Sequence, residues 1–190
     1  MKRIMGGIFV ALLMVVGLAS AANAGNATVH DRRNDARHGI DFYKVHAKRT
    51  PRSLFVNTRF SHMGPRINAI EIFYDTNLHK KGPEYRAIVY RGKDGDGIRG
   101  IRVYRSYGWK NLGPRRHCGT HARWHYYRHG YGFFKVTIGK RCFGKGVRGP
   151  ARVHVNTWDF TKYKGHGKHK HPTWGYYDSM KGRHRFSGRI

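Results

Sequence analysis

Between Gly39 and Phe160 the side chains change character at every second residue, and that period confines the chain to strands. Leu54, Val56, Thr58 and Phe60 alternate with Asn57, Arg59 and Ser61. Upstream, Asp41, Tyr43, Val45 and Ala47 alternate with Phe42, Lys44, His46 and Lys48. Further strands are expected over 67–75, 85–90, 98–107, 121–128, 132–138 and 153–160. Asp94-Gly95-Asp96-Gly97 reads as a hairpin turn, because Asp-Gly pairs supply the positive φ that tight connections need. Nothing after residue 24 carries a sustained helical stripe. About eight short strands joined by Gly, Pro, Asn and Asp turns predict an all-β fold, an antiparallel β-sandwich of jelly-roll-like form.

The ends differ from the middle. Lys2-Arg3, the apolar run from Ile4 to Leu18 and Ala22-Asn23-Ala24 have the order of a secretory signal peptide over residues 1–24. The apolar run falls short of the ~20 residues that a spanning helix needs. The mature chain is expected to begin at Gly25, outside the membrane, with a sandwich domain over 25–162 and a flexible, basic, His/Lys/Gly-rich tail over 163–190. Cys118 and Cys142 are the only cysteines, and in an oxidising compartment an even count points to one disulfide.

Composition then narrows the function. The formal net charge is +28, and removal of Lys2 and Arg3 with the signal leaves +26. Such a body repels itself and attracts polyanions. The expected partners are anionic polysaccharide or teichoic acid first, then nucleic acid held without sequence preference, or an anionic membrane surface. Aromatics interleave with the charge in Tyr104-Arg105-Ser106-Tyr107 and in Arg123-Trp124-His125-Tyr126-Tyr127-Arg128, as stacking on sugars or bases requires. The residues expected to bind are Arg102, Arg105, Arg123 and Arg128 for charge, with Trp109, Trp124 and Tyr126 as platforms. Signatures of sequence-specific nucleic-acid readers are absent.

The run after Asp41, Arg59-Phe60, Ile72-Phe73-Tyr74-Asp75-Thr76, Gly82-Pro83-Glu84-Tyr85-Arg86, Gly108-Trp109, Cys118, Arg141-Cys142-Phe143-Gly144 and Val153-His154-Val155 together resemble an uncharacterised family of small secreted proteins of high-GC Gram-positive bacteria. More distantly, the layout is similar to sandwich modules of the DOMON and family-9 carbohydrate-binding type. The resemblance implies export and a sandwich, and it brings no reaction with it.

Other chemistry is weighed and set lower. His117, His121, His125 and His129 recur every four residues, which on a strand puts them on one face but too far apart to share an ion. His166, His169 and His171 form a short tract of the kind that picks up copper, nickel or zinc, opposed by Lys164, Lys168 and Lys170. Calcium could draw on Asp31, Asp35, Asp41 and Asp75 or Asp159, but pairing of each acid with an arginine is preferred. No cofactor is implied. A Glu71/Asp75 or Glu84/Asp75 pair has the residue types for glycoside hydrolysis without a spacing that selects it. No nucleophile elbow, zinc-protease, P-loop or dinucleotide motif occurs. The expectation is a non-catalytic binder. A cationic membrane-active antagonist, or a metal-independent hydrolase of nucleic acid or glycan, are the alternatives.

Overall fold

The computed structural model describes residues 25–33, 40–63, 69–91, 98–127, 131–146, 149–158, 162–164, 171–173, 177–179 and 186–190. The expected signal segment, Arg128, His129, His166 and His169 lie outside them.

The described chain is an antiparallel β-sandwich. Sheet A runs in the order β1 (Asn26–His30), β2 (Ile40–Arg49), β3 (Ser53–Met63), β9 (Gly132–Gly139), β8 (Thr120–Tyr126). Sheet B runs β13 (Tyr177–Ser179), β10 (Arg152–Trp158), β4 (Ala69–Asp75), β5 (Tyr85–Arg91), β6 (Ile98–Tyr107), β7 (Asn111–Arg116). A separate hairpin pairs β11 (Lys162–Lys164) with β12 (His171–Thr173). The eight expected strands are all present, and β1, β7 and β13 extend the sheets beyond them.

One core lies between the sheets. Sheet A contributes Val45, Ala47, Leu54, Val56, Phe60, Phe134, Val136 and Ile138, and sheet B contributes Ile70, Ile72, Tyr74, Ala87, Val89, Val103, Val153 and Val155. The alternation in β3 therefore sorts as expected, with Leu54, Val56, Thr58 and Phe60 inside. In β2 it does not. Irregular register around Phe42 moves that ring into the core, so Phe42 belongs with Val45 and Ala47 rather than opposite them. A bulge reverses the facing of every side chain on one side of it, and no side-chain period announces it.

The C-terminal boundary also needs correction. Within the expected tail over 163–190, the described residues 177–179 and 186–190 pair with the sandwich. Their β13 adds to the free edge of β10, Ser187 N–H donates to the Val153 carbonyl, and Ile190 exchanges two backbone hydrogen bonds with Ala151. Ile190 is buried in the core. A buried apolar side chain with paired backbone gains more than a basic segment left in water, which is why the end of the chain returns.

Cys118 and Cys142 form the expected disulfide, with Cα atoms 5.2 Å apart. Cys118 sits where the chain passes from β7 in sheet B to β8 in sheet A, and Cys142 sits in the 3-10 turn Lys140–Gly146, where it leaves sheet A for β10. One bond thus clamps two crossings between the sheets. Closing a loop of this length is worth roughly 3 kcal/mol. Reduction should lower the unfolding free energy by about that amount in urea titrations with and without a thiol reductant; coincident curves would contradict the clamp.

Candidate polyanion-binding face

The outer side of sheet A is built by register. Each of its five strands turns every second residue outward, and pairing lines these residues up in three rungs. The first runs His30, Lys44, Arg59, Phe133, His125. The second runs Thr28, His46, Asn57, Lys135, Arg123. The third runs Asn26, Lys48, Phe55, Thr137, His121. Of these fifteen positions five are Lys or Arg, four are His and none is Asp or Glu. At strand spacings of about 4.8 Å the face is roughly 20 Å wide. Lys48, Arg59, Arg123, His30, His121 and His125 are exposed, and Lys44, His46 and Lys135 are half-buried. The charge is thus contiguous, with Asp31 following His30 at the rim, where its N–H donates to the Tyr43 carbonyl.

A groove of about 270 Å³ opens at one end of this face, lined by residues that include Tyr43, Asn57, Arg59, Tyr127, Tyr131, Phe133 and Lys135. Phe133 lies in a near-parallel stack with His125 at 5.3 Å, and His125 meets Tyr127 edge-on at 4.4 Å. The Lys135 ammonium sits 4.5 Å from the Phe133 ring centre, and the Arg33 guanidinium 4.4 Å from that of Tyr43. Tyr127 and Tyr131 are each about half exposed. Gly132 belongs to the wall, and the close approach requires it: a Cβ there would stand 2.4 Å from both the His125 carbonyl oxygen and the Phe60 ring.

The outer side of sheet B is different in kind over β4, β5 and β10, because there it is covered. Phe73 packs against Trp109 at 5.1 Å, and Trp109 against His154 at 5.2 Å and Phe186 at 4.7 Å. Beneath them Arg86 pairs with Glu71 at 3.4 Å, donates to the Trp109 carbonyl and lies 4.6 Å from the Phe73 ring centre. Burial pulls the Arg86 guanidinium below its ordinary value, and the Glu71 charge opposes that pull. Arg152 holds the fully buried Asp75, and its Nε donates at 2.9 Å. Glu84 accepts the Thr76 N–H at 2.7 Å and the Asn77 N–H at 3.1 Å. Burial pushes the Glu84 carboxyl up from its ordinary value despite those donors, so the stability it contributes in acid is lost as pH rises through its titration. The three carboxylates considered for hydrolysis are therefore engaged by Arg86, Arg152 and backbone N–H groups.

The residues singled out in the sequence separate accordingly. Arg123 lies on the basic face of sheet A. Arg102 and Arg105 are exposed, but they belong to β6 in sheet B, Arg102 lying 5.2 Å from the Tyr90 ring centre. Trp109 is packed over Phe73 and His154 rather than offered as a platform. Trp124 has the inward parity of Ala122 and packs on Phe60 at 5.4 Å and Phe134 at 5.6 Å, so it too is structural. Tyr126 is placed only as the last residue of β8, opposite Gly132. His121 and His125 do share one face, as the strand reading requires. Among the described residues no three His, Cys, Asp or Glu side chains converge as a metal site would need, and of the tail histidines only His171 is described, in β12. Lys44, Lys48, Asn57, Phe133, Lys135, Tyr127 and Tyr131 were missed as site residues. Their outward alternation was readable, but the pairing of β3 with β9, which sets them side by side, was not.

No family model, curated protein or solved structure matches this chain. The chemistry open to the face is therefore read from its own geometry.

Proposed function

We propose that this is an exported, non-catalytic binding protein that holds an anionic cell-envelope polymer across the outer face of sheet A. The observation that carries the reading is the three-rung array: five Lys or Arg, four His and no acid on one side of one sheet. Part of sheet B supports it by contrast, since Arg86 and Arg152 on β5 and β10 are matched with Glu71 and Asp75 under Trp109 and Phe186. An extended polymer suits a face roughly 20 Å wide, where several repeats engage several cations together. The disulfide and the lack, among the described residues, of any helix long and apolar enough to cross a membrane are compatible with work outside the cell.

Each neutralised anionic group releases counterions, so affinity must fall steeply with salt. With about five contacts, raising NaCl from 50 to 200 mM should weaken binding to wall polymer or to polygalacturonate by roughly 10²- to 10³-fold. Titration by fluorescence anisotropy across that range measures it. An affinity flat in salt would overturn the reading.

A further inference from the structure

The groove at the end of the face has more specific chemistry than the cations around it. We infer that it is a subsite for one anionic sugar unit, a ring bearing a carboxylate or a phosphate, within the polymer-binding reading on which this rests. Three features converge on that ligand. The first is charge: Arg59 and Lys135 both line the groove, and the guanidinium fork suits the paired oxygens of either anion.

The second is surface. Phe133, Tyr127 and Tyr131 supply rings at the groove, and the two tyrosines are about half exposed, with Tyr127 supported edge-on by His125. A sugar presents an apolar C–H face to such rings and a polar rim to its surroundings. Aromatics of this kind are amphipathic and lose little entropy when they hold a ligand.

The third is an unmet acceptor. Asn57 lines the same groove, and its Oδ1 is buried while accepting no hydrogen bond from any described residue. A buried acceptor left unpaired is unfavourable, so a donor brought against it gains more than one brought to an acceptor already satisfied. The partner that Asn57 Oδ1 takes must be a donor. Inorganic phosphate at neutral pH keeps one or two O–H donors but has no apolar face for the rings, and a bare polyphosphate chain offers neither along its length. A sugar hydroxyl offers one beside the anionic group. The stack, the ion pair and the hydroxyl together select a charged sugar over a neutral sugar and over a simple anion.

Amide-resolved NMR titration of the protein tests this with four probes: digalacturonate, glucose 6-phosphate, maltose and inorganic phosphate. The expected result is saturable shifts centred on Asn57, Arg59, Tyr127, Phe133 and Lys135 with at least one of the charged sugars. The stronger of the two tells carboxylate from phosphate. Maltose and phosphate should bind at least about tenfold more weakly. Asn57→Leu, which removes the acceptor, and Tyr127→Ala, an exposed change that leaves the core alone, should each weaken the sugar by about tenfold. Equal response to all four probes, shifts centred elsewhere, or unaltered sugar binding by both variants would overturn the subsite. Unaltered sugar binding in the variants with polymer affinity still steep in salt would remove the subsite alone. Sugar shifts at the groove with polymer affinity flat in salt would remove the polymer reading and leave the subsite.

Discussion

Replacing Arg86 with methionine is expected to remove about 3–5 kcal/mol of folding stability. In the expected strand over 85–90 Arg86 alternates with Tyr85 and Ala87, as an outward cation would, yet it is buried beside Glu71 and under the Trp109 carbonyl. Methionine can fill much of the same volume, so the loss is not chiefly a cavity. It comes from leaving the Glu71 carboxylate buried without its cation and the Trp109 carbonyl without this donor. If that is the cause, the double change Glu71→Leu with Arg86→Met should recover most of the loss, because a buried ion pair replaced whole by apolar groups is often nearly neutral. Urea denaturation of the three proteins measures it. A loss below about 1 kcal/mol in the single variant would mean that Glu71 is hydrated and that Trp109 does not seal this face.

The second large effect concerns binding. Changing Lys44, Lys48, Arg123 and Lys135 together to glutamine should weaken polyanion affinity by a hundredfold or more at about 0.1 M salt, through lost counterion release. The same change should flatten the plot of log affinity against log salt by about three to four units of slope, since each contact contributes roughly 0.7–0.9. Stability should hardly move. These four side chains point away from the core, with Lys48 and Arg123 exposed and Lys44 and Lys135 half-buried, and outward charges far from buried networks contribute little to folding. A variant that folds like the parent and binds like it would mean that the contacts lie elsewhere.

The sequence made the strands legible where alternation was regular and apolar. β3 from Leu54 to Phe60 and β9 could be read residue by residue, because each inward position there is large and apolar except Thr58 and Gly132. β7 could not be read: Asn111–Arg116 contains Gly113 and Pro114, is exposed along nearly its whole length and is held by pairing with β6 rather than by burial. β1 was equally hidden, since Val29 is its one fully buried side chain. For the site, the outward cations could be named but not grouped. Arg59 becomes a neighbour of Phe133, and Asn57 of Lys135, only through strands far apart in sequence. The tryptophans misled for a related reason. Trp109 lies in a Gly-Trp-Lys turn that looks exposed, and its partners Phe73, His154 and Phe186 come from three separate parts of the chain. Local period carries the fold class; the location of the candidate surface is carried by long-range register.

Net charge alone would draw this protein to any polyanion, so the decisive measurement compares two variants of equal charge. One carries the four glutamines on sheet A. The other replaces Arg102, Arg105, Arg115 and Arg116, exposed residues of β6 and β7 in sheet B, with glutamine. Dissociation constants for the same anionic glycan, in the same salt, should rise a hundredfold or more in the first and less than about threefold in the second. Equal losses in the two would show that binding follows total charge rather than the three rungs of sheet A.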